Sequence, residues 1–398
     1  MANTSNPVNI SFLSSPMADI EKILLAETFD GFSLVTKEQE FLLLEDQWNN
    51  LWANNKNSSV FQSFNYCYHA WKSILKPLRR KLYCVIKRQN DQIVLIWPLI
   101  KYRKLLCSIV RPLGPVAAEY TDPLIDDSIN SQQIVHQMWE FLRKSLRSDI
   151  INLPFVKCDS LLYQELLTLK TSDVDSDIAP YVSWIPQQTW DEYYKSLSSS
   201  YRKVQNKKKR QLMATGTVSF EVIEDKAQYN TLISWLLTEK RKWGNRVNKK
   251  GAWIFSDRYK TFLINLSSDQ LHIQPFVIYA LKLNNIIIAL QLAAVGKKHV
   301  NWMIAGFDAD FSHSSPGIIL NEYCLQWAHQ HQLNCDFGAG AEENKLFWSK
   351  GQTRSLATLQ IATSYWGRLA LHGWKSKRSL DQKYRMHRLR LKEKNQIV

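Results

Sequence analysis

The chain carries the same order of predicted elements twice. In each half, the hydrophobic periodicity indicates a helix, then a meander of strands, then a further helix and strand. The two halves share this order but show no repeat of residue identity. With 398 residues, the chain also exceeds what one ordinary hydrophobic core accommodates. We therefore predict an α/β (α+β) protein of two similar domains, each with a mixed sheet flanked by helices.

The boundary between the halves is indicated by residues 171–180, a short acidic segment that ends in proline and is typical of a linker. Beyond it, Thr189 and Glu192 have the spacing of a capping box, which predicts the start of a helix. The pattern predicts an N-terminal domain over residues 1–180, a C-terminal domain over residues 181–365 and a basic helical tail over residues 366–398.

Local signals predict two further features. Thr36 and Gln39 match a capping box ahead of an apolar run that contains two tryptophans, so we expect a helix to start there. Asn284 and Asn285 separate two apolar runs. Asparagine tolerates a positive φ, so this dipeptide predicts a tight hairpin.

Charged residues are distributed unevenly along the chain. The net charge is +15, but residues 1–200 hold 20 Lys and Arg against 22 Asp and Glu, a net of −2. Residues 201–398 hold 31 against 14, a net of +17. The C-terminal half is therefore expected to meet an anionic partner, such as a phosphate-bearing cofactor, a nucleic acid or an acidic membrane surface.

The sequence also allows a prediction of the cellular compartment. No apolar run reaches the ~18–20 residues that span a bilayer, and the first residues lack the pattern of a signal peptide. The six cysteines form no CxxC pair, so we expect free thiols in a reducing cytoplasm, with contact to the inner face of the membrane possible through the basic tail. His329 and His331 lie two residues apart and cannot share a helix face, so no metal site is expected.

Ser315, Pro316 and Gly317 form one candidate binding motif. They follow a predicted strand and have the composition of a helix start, with an N-cap serine and proline in the first turn. The free N–H groups and the helix dipole at such a start can bind a phosphate. An ordinary capped helix is the alternative.

Asp336 heads a second motif, Asp-Phe-Gly-Ala-Gly, which ends a short predicted strand in a glycine-rich turn. Lys345 and Trp348 follow. A carboxylate at the end of a strand, beside flexible backbone and a cation, suits a polar substrate. The alternative is a structural aspartate that caps the turn.

Together these motifs resemble the CelD/FemAB-like branch of the GNAT acyltransferases, the acetyltransferase domain often found beside cellulose-biosynthesis genes. The S-P-G helix start is followed about twenty residues later by D-F-G-x-G, and then by a lysine and a tryptophan. Upstream, the basic stretch from Arg202 to Leu212 is similar to the family's basic helix. Residues 120–124 (YTDPL) match a weaker N-terminal motif, and the resemblance spans roughly residues 55–365.

The resemblance implies two tandem GNAT-like domains, with an acyl donor held along two splayed strands of the second. It implies an N-acyltransferase that moves a group other than aminoacyl from acyl-CoA to an amine or hydroxyl of a sugar or cell-envelope precursor. The acceptor would attack the thioester directly, assisted by a general base and by backbone donors. Among the candidates, Asp336 and Glu343 are the first and second choices for the base, Ser315, Pro316 and Gly317 would bind the donor, and Lys345, Trp348 and Arg202 would bind substrate.

Two alternatives stay open: a FemAB-like aminoacyltransferase that uses aminoacyl-tRNA, and a non-catalytic scaffold that binds a glycan or a partner. One departure bears on them. The family usually has a tyrosine just before the lysine of the D-F-G-x-G segment, whereas this chain has Asn344 before Lys345. A contact that relatives make with substrate would then be lost or replaced.

Overall fold

The computed structural model describes residues 30–115, 120, 122–168, 174–249, 251, 253–269 and 276–377. The strands are β1 Phe32–Val35, β2 Lys81–Gln89, β3 Gln92–Lys104, β4 Cys107–Pro112, β5 Leu124–Ile125, β6 Ile150–Lys157, β7 Val174–Val182, β8 Val218–Ile223, β9 Phe276–Leu283, β10 Ile286–Val295, β11 His299–Phe307, β12 Asn334–Asp336 and β13 Thr353–Ala362.

Helices cover both faces of this sheet. They are α1 Glu38–Leu42, α2 Glu45–Asn54, α3 Phe64–Ala70 with its π-helical continuation Trp71–Leu75, α4 Ser131–Ser145, α5 Leu161–Leu167, α6 Trp190–Ser196, α7 Ser199–Met213, α8 Tyr229–Arg246, α9 Asp257–Ser268, α10 Pro316–Gln330, α11 Glu343–Trp348 and α12 over residues 365–377. Within the described ranges, no helix is both long and apolar enough to cross a bilayer.

The strands of the described residues form one continuous sheet in the order β1-β2-β3-β4-β6-β13-β7-β12-β11-β10-β9-β8, with β5 beside β3. Each half contributes four antiparallel strands, β1 to β4 and β8 to β11. In each half the fourth strand then has a parallel neighbour, β6 beside β4 and β12 beside β11. Two units of the same design are therefore joined edge to edge, and the predicted fold class is confirmed.

The join is made by strands that cross between the units. β7 follows the first unit in sequence but pairs with β12 of the second as well as with β13. β13 in turn pairs with β6 of the first unit. The linker predicted over residues 171–180 is therefore wrong for residues 174–180, which are strand. The acidic start of β7 stays exposed while its backbone pairs with β13, and its buried end, Ala179 and Pro180, lies inside the sheet.

Packing also ties the units together. One hydrophobic core contains side chains from both halves, and the ring of Tyr66 on α3 meets Phe262 on α9 edge to face at 5.3 Å. Two further cores lie under α4 and α5 and under α6, α7 and α10. Since both units bury apolar surface against each other, residues from the two halves can form one site.

Two of the predictions from local motifs were confirmed, and a third was confirmed in part. Asn284 and Asn285 both have positive φ, 48° and 66°, as the hairpin requires, and Thr189 and Glu192 form both bonds of the capping box. At the start of α1, however, the N-cap is Lys37 and no side chain caps the helix. The helix therefore starts where the sequence predicts, at Glu38, but without the predicted capping box.

The basic tail predicted over residues 366–398 is helical as far as residue 377, and residues 378–398 lie outside the described part of the chain. α12 packs Leu371 and Trp374 against Tyr102, Cys107 and Ile150 of the N-terminal unit. The tail is thus held on the first unit, although the second precedes it in sequence.

We expect Gly367→Ala to detach this helix. A Cβ at Gly367 would lie 1.9 Å from the carbonyl oxygen of Asp149, a backbone atom that cannot move aside locally. The substitution should lower the free energy of unfolding by about 1–3 kcal/mol, measured by urea denaturation. Gly373→Ala is the matched control, because nothing lies within 4 Å of a Cβ there. Equal stability of the two variants would contradict this packing.

Candidate active site

The site begins where β11 and β12 separate. The two strands pair in parallel over only three residue pairs, from His299–Asn334 to Asn301–Asp336. β11 then continues to Phe307, whereas β12 ends at Asp336. Two neighbouring strands of the second unit therefore pair at one end and part at the other, as the resemblance implies for the strands that hold the donor. Beyond Asn301, no described residue pairs with β11 on this side, and a gap opens in the sheet.

A cavity of about 160 Å³ lies at this gap. Its walls are mainly aromatic and apolar, with Asp336 and Lys345 as the charged side chains. The lining residues are Phe61, Tyr120, Trp253, Tyr259, Asn301, Trp302, Met303, Asp336, Phe337, Gly338, Ala339 and Lys345. Such a space suits a short acyl chain or another small apolar group next to a polar reacting centre.

Asp336 is nearly inaccessible to solvent, with 3% of its surface exposed. The Tyr120 hydroxyl, from the other unit, lies 2.7 Å from Oδ1 and 2.6 Å from Oδ2. The backbone N–H of Gly338 donates to Oδ1 at 2.8 Å, and Arg354 Nη1 lies 3.5 Å from Oδ2. Asp336 therefore caps the glycine turn, as the structural alternative requires, while it also lines the cavity.

Tyr120 is held as a hydrogen-bond donor. Burial, together with the negative charge of Asp336, raises the pKa of the Tyr120 phenol far above its ordinary range. The phenol therefore keeps its proton throughout the physiological pH range. Because Tyr120 belongs to the first unit and Asp336 to the second, the position of the Asp336 carboxylate depends on the contact between the two units.

A second and larger cavity, of about 430 Å³, lies between the units. Tyr120, Asn301 and Asp336 line both cavities, so they separate the small apolar space from the large polar one. The larger cavity is rich in charge of both signs. Its charged and titratable lining residues are Lys56, Asp122, Asp127, Lys157, Asp159, Lys297, Lys298, His299, Asp336 and Arg354.

Asp122 is the most unusual of these side chains. Both of its carboxylate oxygens are buried, and neither makes a well-formed hydrogen bond to a described residue, although the side chain of Ser160 lies close enough to favour the ionised carboxylate. Burial raises the pKa of Asp122 above its ordinary value, and the positive charge of Lys157 offsets part of that rise. Gln62 fixes the loop, since its side-chain amide donates to the backbone carbonyl of Asp122 at 3.0 Å. A buried carboxyl with so few polar contacts is costly, and such groups concentrate at functional sites.

The candidate phosphate site lies at the start of α10. Ser315 adopts left-handed backbone angles, φ 52° and ψ 55°, and its side chain does not cap the helix. Instead, its hydroxyl accepts a hydrogen bond of 2.7 Å from Lys208 on α7. The neighbouring Lys209 pairs with Glu322 of α10 at 2.8 Å. The basic helix predicted from the sequence is thus placed against the S-P-G helix start.

Lys345 and Glu343, two further residues predicted for the site, lie in different places. Lys345 lines the small cavity with Asp336, and its ammonium donates to the carbonyl of Ala339 at 2.9 Å. Glu343 is exposed on α11 and faces a shallow groove beside Tyr201, away from both cavities.

Two candidate substrate-binding residues lie elsewhere in the C-terminal unit. Trp348 is fully buried in the core of this unit, so its ring does not reach the cavities. The Arg202 guanidinium lies over the ring of Tyr194, 5.9 Å from its centre, and donates to the carbonyl of Leu197. Of the catalytic and substrate-binding candidates, the structure therefore brings together Asp336 and Lys345.

Asn344, which stands where the resembling family usually has a tyrosine, lies next to a tyrosine from another helix. The hydroxyl of Tyr201, on α7, lies 3.5 Å from the side-chain oxygen of Asn344. The Tyr201 ring also stacks on Phe347 at 3.8 Å. A tyrosine therefore lies beside the position where the resembling family usually carries one, but a different helix supplies it.

Sequence reasoning missed Asp122, Asn301 and Arg354 as site residues. The YTDPL segment was recognised as part of the resemblance, yet nothing in it shows that Tyr120 reaches Asp336, 216 residues away. Arg354 lies on β13, a strand that the hydrophobic pattern did not reveal. These contacts depend on strand pairing between distant segments.

Comparison with known proteins supports the fold. Residues 199–346 match the profile of the acetyltransferase (GNAT) domain. This part of the chain has the sequence pattern of a GNAT acetyltransferase domain. The matched range contains α7, the α10 start, Asp336 and Lys345. A search of curated protein sequences finds no match.

Two solved structures share the architecture over most of the chain. The crystal structure of FemX aligns with a TM-score of 0.55 at 11% identity, over 85% of this chain and 100% of FemX. The C-terminal domain (DUF2156) assigned to a lysylphosphatidylglycerol synthetase from Agrobacterium fabrum aligns with a TM-score of 0.50 at 11% identity, over 83% of this chain and 95% of that domain. At these identities the similarity concerns the fold alone.

Proposed function

We propose that this protein is an acyltransferase of the CelD/FemAB-like kind, which transfers an acyl group from acyl-CoA to an amine or hydroxyl of a sugar or cell-envelope precursor in the cytoplasm. The observation that carries the proposal is the gap between β11 and β12, with Asp336 at its end and the GNAT profile across it. GNAT enzymes, to which this region is similar, use acyl-CoA.

The donor is proposed to bind on the α10 side of the sheet. Its phosphates would meet the backbone N–H groups after Ser315 and the ammonium of Lys208, since a helix start attracts anions and a cation lies beside it. The acyl group would then enter the gap and occupy the small apolar cavity. No metal is required for this reaction.

The acceptor is proposed to bind in the large cavity between the units. Asp122 and Asp336 would attract an amine, while Lys157, Lys298 and Arg354 would bind anionic groups of the same molecule. The amine attacks the thioester carbonyl carbon and its proton passes to a carboxylate. The C–S bond then breaks, and CoA leaves as a thiolate that regains a proton from the carboxylic acid or from water. Asp336 is the proposed base, and Asp122 is a second carboxyl that could take the proton.

We expect acetyl-CoA to raise the melting temperature, because a ligand that binds only the folded state stabilises it. At a concentration about 100 times the dissociation constant, the gain is roughly 2.7 kcal/mol. Lys208→Gln should reduce the shift, whereas Lys226→Gln, an exposed change in the same unit, should not. No shift with acetyl-CoA or longer acyl-CoAs at millimolar concentration would remove acyl-CoA as the donor.

Aminoacyl-tRNA is the alternative donor, and salt distinguishes the two. Binding of tRNA through many phosphates should weaken steeply between about 50 and 200 mM salt, whereas CoA binding should weaken far less. Binding of charged tRNA with this steep dependence, and no binding of acyl-CoA, would instead support an aminoacyltransferase. Binding of a glycan without turnover of any donor would support a non-catalytic scaffold.

A further inference from the structure

The second unit carries most of the chain's positive charge, yet one edge of the first unit is also strongly cationic. This edge comprises residues 78–83, 101–108, 146–150 and 363–377. Strand pairing places them together: Lys81 pairs with Lys101, Lys104 with Cys107, and Ile150 with both Ile109 and Ala362. We call this surface the cationic edge.

The charge of the cationic edge is nearly of one sign. Its four segments contain ten Lys and Arg residues and one acidic residue, Asp149. Asp149 is already occupied, because it accepts hydrogen bonds from Ser108 at 2.7 Å and from the hydroxyl of Ser364 at 2.6 Å. Seven of these cations lie within residues 1–200, which as a whole have a net charge of −2, so the charge is concentrated at this surface.

Large apolar side chains project from the same edge. Leu105 and Leu106, at the tip of the β3–β4 hairpin, are 84% and 91% exposed. Tyr365 and Trp366 on α12 are also largely exposed, and Leu369 is about half exposed. The hairpin and the helix adjoin each other, since Lys104 lies 4.9 Å from the ring centre of Trp374 on α12. Exposing two adjacent leucine side chains to water is unfavourable, so their exposure at the hairpin tip indicates an interaction surface.

The backbone conformation at the hairpin tip also indicates that Leu105 contacts a partner. Leu105 has a φ of 54°, in the left-handed region where glycine or asparagine is favoured and leucine is strained. A leucine that is strained and almost wholly exposed contributes neither a good turn nor core packing. Its side chain is therefore best explained by contact with something outside the protein.

We propose that the cationic edge binds the surface of an anionic lipid bilayer, with Leu105 and Leu106 inserted among the acyl chains. Lys and Arg beside the surface are attracted by anionic headgroups, and aromatic side chains such as Trp366 favour the interface. Nucleic acid would use the cations but has no need of two aliphatic side chains, so the leucines favour a bilayer. The inference is independent of the acyltransferase reaction.

The test is co-sedimentation of the full chain with vesicles of phosphatidylcholine alone or with about 30% phosphatidylglycerol. The protein should bind the anionic vesicles and not the neutral ones. Leu105→Gly with Leu106→Ser should weaken binding about tenfold or more, and it should fold at least as well, because glycine relieves the positive φ. Arg103→Gln with Arg368→Gln should also weaken binding about tenfold.

Lys203→Gln with Lys207→Gln, two exposed cations on α7, is the matched control and should bind like the unmodified chain. Equal binding to neutral vesicles, or no effect of the leucine pair, would overturn the proposal. Equal loss in the α7 control would show diffuse attraction and overturn it as well. Binding of tRNA that depends on Arg103 and Arg368, without vesicle binding, would assign the edge to nucleic acid instead.

Discussion

Replacing Asp336 with asparagine should lower turnover by about 100-fold or more while donor binding is retained, if the carboxylate takes the proton from the acceptor. Asparagine keeps the size of the side chain and an oxygen that accepts from Gly338. The measurements are release of CoA with a panel of amino sugars and the melting-temperature shift with acetyl-CoA.

A purely structural aspartate predicts a different result. Asp336 is buried and accepts hydrogen bonds from Tyr120 and Gly338, so a structural role would lower stability, donor binding and turnover together. Glu343→Gln is the matched control: its carboxyl is exposed on α11 and lines neither cavity. Unchanged turnover in a well-folded Asp336→Asn variant would eliminate Asp336 as the base. A loss of turnover in Glu343→Gln would indicate that Glu343 is the base.

Replacing Asp122 with asparagine should stabilise the protein at neutral pH and lower its activity. Burial raises the pKa of Asp122 in the folded state above that in the unfolded chain. The folded state therefore holds this proton more tightly, and stability is lost as the pH rises from about 4 through the folded pKa. Asparagine does not titrate, so its stability advantage over aspartate should grow as the pH rises across that window.

Urea denaturation at several pH values measures this difference. Asp159→Asn provides the control, because its side chain lines the same cavity but is 70% exposed, and its stability should hardly change. If Asp122→Asn destabilised the protein at every pH, the contacts of the carboxylate with Lys157 and Ser160 would outweigh the cost of burying it. If activity were unchanged, the acceptor would not use this group.

Much of the local architecture follows from the sequence. The capping box at Thr189, the Asn-Asn hairpin and the start of α10 at Pro316 depend on residues within a few positions of each other. The motif at Asp336 and the position of Lys345 could likewise be predicted as a polar group at a strand end. Local chemistry decides these features, because their hydrogen bonds close within one turn.

The assembly of the site was decided by tertiary structure alone. β7 and β13 pair with strands of the opposite unit, which places Arg354 and the loop of Tyr120 beside Asp336. The burial of Trp348 and the exposure of Glu343 likewise follow from how α11 packs. Backbone pairing between distant strands leaves little signature in residue type, since any side chain of suitable size can occupy such a strand. The sequence by itself therefore determined the kinds of groups present, and the folded sheet decided which of them meet.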